Sequence, residues 1–189
     1  MKAAVFLDRD GVLSIPEFRN GRSYAPRRLE KFVIYEDAVA AVDRLKRAGF
    51  VVIVVTNQPD VGAGLVSRET VEAMHDLLRA TVAVDDIEVC YETRDQATER
   101  RKPGAGMLRD AAAKWMIDLS QSFMVGDRVS DIEAGRRAGC MTVFIDRRYS
   151  EPGSQGPNTV VVRNLAEAVA WICDTTEGTV KDDGRGAEQ

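Results

Sequence analysis

The chain reads as a doubly wound α/β fold, a parallel sheet with helices on both faces and no large cap domain. Three observations predict it. Short β-branched runs alternate with helical stretches along the chain, and that alternation builds parallel sheets through right-handed crossovers. The strongest run, "VVIVVTNQ", is apolar without a break, as a strand covered on both faces requires. Polar residues gather where such runs stop, at the edge where open α/β sheets bind ligands.

The elements follow in order. "AAVFLD" is the first strand, and "EDAVAAVDRLKRAGF" has the apolar spacing of a helix closed by Gly49. "VVIVVTNQ" is the second strand, after which Ser67 caps the helix "RETVEAMHDLLRATV". "DIEVCYE" is a weaker third strand. Pro103 opens the helix "GAGMLRDAAAKWM", "SFMVGD" is a fourth strand, and "SDIEAGRRAG" is a helix ending at Gly139. "MTVFID" follows as a fifth strand. A polar loop rich in Gly, Pro and Ser then leads to "NTVVV" and the helix "NLAEAVAWICD". Residues 1–174 are expected to form one domain, and residues 175–189, polar and charged, a disordered tail.

Bulk properties exclude several classes. At 189 residues, with 44% hydrophobic and 30% charged residues, the chain suits one globular domain with a real core. A net charge of −4 lacks the basic excess of nucleic-acid or membrane-surface proteins. No apolar run approaches the roughly 18–20 residues that span a bilayer, and no signal peptide is expected. The three cysteines, Cys90, Cys140 and Cys173, are far apart and form no CxxC pair. They read as buried thiols in a reducing, cytoplasmic compartment. The single histidine, His75, sits in a helical pattern and is expected to be solvated or partly buried rather than catalytic. Carboxylates and lysines must therefore carry any chemistry.

The strand ends supply them. Strand one stops at Asp8-Arg9-Asp10-Gly11, strand two at Thr56-Asn57-Gln58, and strand four at Gly126-Asp127-Arg128 with Asp131 just beyond. Arg101-Lys102-Pro103-Gly104 comes before a helix. Asp8 and Asp10 are two apart, so an extended segment projects both to one side and Arg9 to the other. Asp127 can approach Asp8 from a neighbouring strand. Two or three oxygen ligands with room for water suit Mg²⁺, which would compensate the cost of burying aspartates at the end of an apolar strand. A cation, a lysine and a threonine hydroxyl together make a phosphate clamp. Asp8 can then be a nucleophile forming an aspartyl phosphate, with Asp10 as acid and then base.

With these motifs in view, the sequence resembles the haloacid dehalogenase-like (HAD) superfamily of phosphatases. "FLDRDGV", "VVTNQ", "RRKPG" and "MVGDRVSDIEAG" carry the resemblance, in that order, across about residues 3–146. Their phrasing is similar to the subgroup of heptose bisphosphate and histidinol-phosphate phosphatases. The resemblance implies Asp8 as nucleophile and Asp10 as acid/base, with Asp8, the Asp10 carbonyl and Asp127 as metal ligands. It implies phosphate or substrate binding at Thr56, Asn57 and Gln58, charge neutralisation by Lys102, and substrate contacts from Arg101 and Arg128. Many members of the subgroup carry a Cys-x-His and Cys-x-Cys zinc loop before "RKP". Here Cys90 is the one matching ligand and Glu92 stands at the histidine position, so zinc is not expected.

The intervals from Gly11 to Val51 and from Asn57 to Arg101 are too short for a large cap. The stretch "IPEFRNGRSYAPRRLEKF" is the best candidate for one wall, and its Arg19, Arg22, Arg27 and Arg28 would suit a second phosphate. The expected substrate is a small phosphorylated metabolite, a sugar phosphate or bisphosphate, handled by a monomer or small homo-oligomer without nucleic acid or membrane. A receiver-type phospho-acceptor, a non-catalytic binding domain and a phosphomutase are the competing readings. The order of the motifs, the intact reacting positions and the missing cap disfavour them in turn.

Overall fold

The computed structural model describes residues 1–19, 22–148 and 159–182. After β1 (Ala4–Leu7) come β2 (Ser14–Ile15), the antiparallel pair β3 (Glu17–Arg19) and β4 (Arg22–Tyr24), and β5 (Val33–Ile34), which returns antiparallel to β2. The chain then alternates through α1 (Ala38–Arg47), β6 (Val51–Asn57), α2 (Pro59–Gly62), α3 (Arg68–Thr81), β7 (Asp86–Cys90) and α4 (Gly106–Trp115). It closes with β8 (Phe123–Gly126), α5 (Val129–Ala138), β9 (Met141–Ile145), β10 (Thr159–Val162) and α6 (Leu165–Asp182). Six strands form one parallel sheet in the order β10-β9-β8-β1-β6-β7. This is the α/β architecture read from the sequence.

The sheet is covered on both faces, and strand alternation assigns each residue to one. Val5 and Leu7 of β1, with Val52, Val54 and Val125, pack against Val42 and Leu45 of α1, Met74 and Leu78 of α3, and Ile172 of α6. Ala4 and Phe6, with Ile53, Val55 and Met124, meet Met107 and Leu108 of α4 and Ala134 of α5. Each of the Val, Leu, Ile, Phe and Met side chains among them, once fully buried, contributes about 1.5–3 kcal/mol. Double coverage explains the unbroken apolar run in β6, all of whose residues up to Thr56 are buried. The three cysteines are free and buried. Among the described residues no helix is long and apolar enough to cross a membrane.

Some boundaries differ from the sequence reading. Pro103 does not open α4, which begins at Gly106. Residues 101–105 instead form a turn with a cis Lys102–Pro103 peptide, closed by Gly104 N–H on the Arg101 carbonyl and Gly106 N–H on the Glu99 carbonyl, each at 2.7 Å. The last helix passes Thr175, the expected start of the tail, and runs to Asp182. The Thr175 and Thr176 hydroxyls turn inward along it, onto the Trp171 and Ile172 carbonyls. Residues 183–189, and most of the Gly-, Pro- and Ser-rich loop, lie outside the described residues. The expected wall from Ile15 to Phe32 contains the β3–β4 pair, whose strands are too short to show a hydrophobic alternation.

One buried polar link ties β1 to the residue that leads into β8. The Ala4 N–H donates to Ser122 Oγ at 3.0 Å, and that hydroxyl donates to the Asp118 carbonyl at 2.6 Å. Replacing Ser122 with alanine orphans a buried donor, so Ser122→Ala should lower stability by about 1–3 kcal/mol in urea titrations, without changing the fold.

Candidate active site

Because β1 lies between β6 and β8, the residues after these three strands meet at one sheet edge. Asp8, directly beyond β1, is 6% exposed. Lys102 reaches it from the turn before α4. Its Nζ donates to Asp8 Oδ1 at 2.8 Å and to the Val55 carbonyl at 2.8 Å, and lies 2.6 Å from Asp131 Oδ1. Two hydrogen bonds and one ion pair thus hold the ammonium. The Lys102 backbone is clamped as well. Its N–H donates to Asn57 Oδ1 at 3.1 Å, and Asn57 Nδ2 donates to the Lys102 carbonyl at 3.0 Å. Burial pushes the Asp8 carboxyl up to about 6, against the opposing pull of Lys102. Burial would lower Lys102, but the charges of Asp131 and Asp8 outweigh it and hold the ammonium above its ordinary range.

Asp8, Asp127 and Asp131 offer carboxylate oxygens that all lie within 4.8 Å of one another, the one such trio of acidic, histidine or cysteine ligands among the described residues. All three are buried. Two glycines make room for them. Gly11 turns the chain beneath the cluster at φ +97°, and a Cβ there would stand 1.9 Å from Asp127 Oδ2. A Cβ on Gly126 would stand 2.2 Å from Asp131 Cβ. An all-oxygen donor set concentrating negative charge in a buried cradle fits a hard divalent cation such as Mg²⁺. Asp131, which sequence reasoning noticed but gave no role, accepts the Arg128 N–H at 3.0 Å as an N-terminal cap of α5. Its Lys102 contact is a tertiary one, invisible to local spacing.

The carboxylate of Asp10 stands apart from that trio. It accepts Nε and Nη2 of Arg9, at 3.1 and 2.9 Å to Oδ2, together with Gln58 Nε2 at 2.8 Å and Ser14 Oγ at 3.0 Å. Arg9 does not simply point away from it, as alternation predicts. The side chain enters the interior, where it is fully buried, and its guanidinium folds back onto Asp10. Gln58 also donates to Thr56 Oγ1 at 2.9 Å and is 1% exposed. It bridges two site residues from behind and does not line the cleft. His75, expected to be at least partly solvated, is fully buried with Nε2 3.1 Å from Arg9 Nη1.

Above the carboxylates opens a cleft of about 500 Å³ whose walls include Asp8, Asp10, Thr56, Asn57, Arg101, Lys102 and Arg128. Of the four arginines proposed for one wall, Arg22 alone lines it. Arg19 stacks on Tyr24 at 4.8 Å, Arg27 donates to Asp60 at 2.6 Å, and Arg28 precedes a short 3-10 turn. Arg94, missed from the sequence, joins from the loop after β7. Arg101 Nη1 donates to the Glu92 carbonyl at 2.6 Å, and Arg128 Nη2 donates to the Ser23 carbonyl and hydroxyl at 2.6 and 2.8 Å, which pins β4 over the cleft. Glu92 closes its own loop by accepting the Thr98 N–H at 2.7 Å and its hydroxyl at 2.8 Å.

The arrangement places a buried carboxylate beside a cation and a hard-metal cradle, under a cleft lined with arginines. The family model described as HAD-hyrolase-like matches residues 99–168. The D-glycero-beta-D-manno-heptose-1,7-bisphosphate 7-phosphatase of Pseudomonas aeruginosa is 34% identical over 181 residues, covering 90% of this chain and 98% of that protein. The chain belongs to the haloacid dehalogenase-like phosphatases. Another relative of this phosphatase, the enzyme of the same name from Rhodopseudomonas palustris, is 34% identical over 150 residues, 73% of this chain and 80% of that one. The crystal structure of D,D-heptose 1,7-bisphosphate phosphatase from Bordetella bronchiseptica, complexed with magnesium and phosphate, superposes with a TM-score of 0.79 at 29% identity. It covers 93% of this phosphatase and 99% of that chain.

Gly11→Ala drives a methyl group into Asp127, so phosphatase activity should fall by about 100-fold or more while the circular dichroism spectrum is kept. Phosphate-release kinetics check this. Burial, reinforced by the Arg9 charge, pushes His75 down to about 4, below its ordinary 6.5. The unfolded chain therefore binds the extra proton between those values. This stability is complete above pH 6.5 and declines as pH falls towards 4, by about 1.4 kcal/mol per pH unit. Urea midpoints across that window should drop more steeply for the wild type than for His75→Gln.

Proposed function

We propose that this phosphatase removes the 7-phosphate of D-glycero-D-manno-heptose 1,7-bisphosphate, with Mg²⁺ as cofactor and an aspartyl phosphate on Asp8 as intermediate. One observation carries the reading: a buried carboxylate–lysine centre shares its cleft with Arg22, Arg94, Arg101 and Arg128, drawn from separate wall segments. A substrate with two phosphates gives both features an occupant, since planar guanidinium forks match phosphate oxygens. The names of the similar proteins support the same class.

In this mechanism an Asp8 oxygen bonds to phosphorus as the bond from phosphorus to the sugar oxygen breaks, and Asp10 delivers a proton to that leaving oxygen. Asp10 then takes a proton from the water that attacks the phosphoenzyme, which frees inorganic phosphate and restores Asp8. Lys102 offsets charge on the transferred group. Thr56 Oγ1 already accepts from Gln58, so its own proton is directed to a phosphate oxygen. Asn57 acts by holding the Lys102 backbone. Asp8, Asp127 and the Asp10 carbonyl would hold Mg²⁺, which supplies positive charge to the phosphoryl group when bound. Asp131, engaged by Lys102 and the Arg128 N–H, flanks that set. The Glu92–Thr98 bonds support a loop that keeps its shape without zinc. Three free cysteines fit a reducing cytoplasm, where the enzyme acts as a monomer or small homo-oligomer.

The decisive experiment is a phosphate-release screen with Mg²⁺ over both anomers of the heptose bisphosphate, histidinol phosphate, other sugar phosphates and nucleotides. Preference for a heptose bisphosphate is expected, and preference for a monophosphate lacking a second anionic group overturns the substrate. Asp8→Asn should abolish turnover with the melting temperature retained. EDTA should silence the wild type until Mg²⁺ is restored, and stoichiometric zinc in elemental analysis would contradict the cofactor assignment.

A further inference from the structure

Behind Asp10 lies a chain of buried polar contacts that the mechanism above leaves unused. The Arg9 guanidinium is fully buried and lies over the Phe32 ring at 5.2 Å. Two of its nitrogens, Nε and Nη2, grip Asp10, and the third, Nη1, meets Nε2 of His75 at 3.1 Å. A guanidinium carries donors and no acceptor, and it keeps its charge at any ordinary pH. Nε2 of His75 must therefore be the acceptor, and the ring proton sits on Nδ1. Nδ1 faces Glu72 Oε2 at 3.5 Å, and the other Glu72 oxygen accepts the hydroxyl proton of Tyr91.

We propose that His75 is a positioning residue for catalysis: as a neutral acceptor for Arg9 Nη1, it fixes the guanidinium plane that aims the Asp10 carboxylate at the leaving group. The inference rests on the reading of Asp10 as acid and base. Its physical basis is satisfaction of a buried charge. Removing the acceptor leaves a cationic N–H unpaired inside the protein, where a buried donor without a partner is strongly disfavoured. The guanidinium then tilts towards another partner and carries Asp10 with it. The groups facing the imidazole agree on its state. Burial, Arg9 and Arg79 oppose a proton, and Glu72 favours one without prevailing.

The chemistry separates this role from a merely structural one. An alkyl leaving group needs the proton that Asp10 delivers, and 4-nitrophenolate does not. His75→Leu should lower kcat/KM for the heptose bisphosphate by about 10- to 100-fold, and for 4-nitrophenyl phosphate by less than about threefold. His75→Gln, whose side-chain oxygen can accept from Arg9, should restore the first value to within about threefold of wild type. Equal losses on both esters in His75→Leu, or no loss on either, overturn the proposal. Asp10→Asn in the same assay separates the two levels. If it discriminates between the esters while His75→Leu does not, the positioning role falls alone; if it does not discriminate, the acid–base reading falls with it. Should His75→Leu not fold, the wild type decides, because its one histidine gives a single pair of ring ¹⁵N resonances. A protonated Nδ1 with an accepting Nε2, unchanged from about pH 8 to pH 5.5, is expected. The opposite tautomer, or an imidazolium in that range, overturns the proposal.

Discussion

The structure is organised around the need to hold four carboxylates, Asp8, Asp10, Asp127 and Asp131, at one edge of a buried sheet. Isolated buried charges of that kind are far more costly than the margin by which a domain is stable. The fold answers with two buried cations that do different work. Lys102 spans Asp8 and Asp131 and is itself clamped by Asn57. Arg9 binds Asp10 and draws it away from the other three. Pairing is thus divided between them: Asp8 sits beside a lysine and an ion cradle, and Asp10 sits in a neutralised pocket of its own.

The sequence was legible where chemistry coincides with strand termini. Asp8, Asp127 and Thr56 stand at the ends of apolar runs, so a parallel sheet with β1 in the middle brings them together without further information. Lys102 was legible through its motif, but its partner Asp131 was not, since that contact depends on how α5 sets down on the sheet. Gln58 shows the limit from the other side. Its position beside Thr56 and Asn57 implied a substrate contact, yet its side chain turns under Thr56 to reach Asp10. Arg9 and His75 were misread for a related reason. Strand alternation and helical periodicity state which way a side chain leaves the backbone, and neither reports where a long side chain ends. The β3–β4 pair escaped because strands of three residues carry no usable period.

The rim of the cleft is built from different elements than the carboxylates at its floor. Arg22 comes from the short β-pair, and Arg94 and Arg101 from the loop after β7, elements outside both core clusters. Arg128, at the start of α5, ties rim to centre, since it donates to Ser23 while its backbone N–H caps onto Asp131. Loop residues that bind through side chains and are held by a few hydrogen bonds can change without disturbing the sheet beneath.

Parallel connectivity has a consequence for the history of each molecule. The lysine and the aspartate it neutralises stand 94 positions apart, and β8, which delivers Asp127, leaves the ribosome later still. A nascent chain that has emerged only as far as β7 holds Asp8 and its strand without the cation beside it or the cradle beneath it. The charged cluster is therefore assembled only when β1 has gained β6 on one side and β8 on the other.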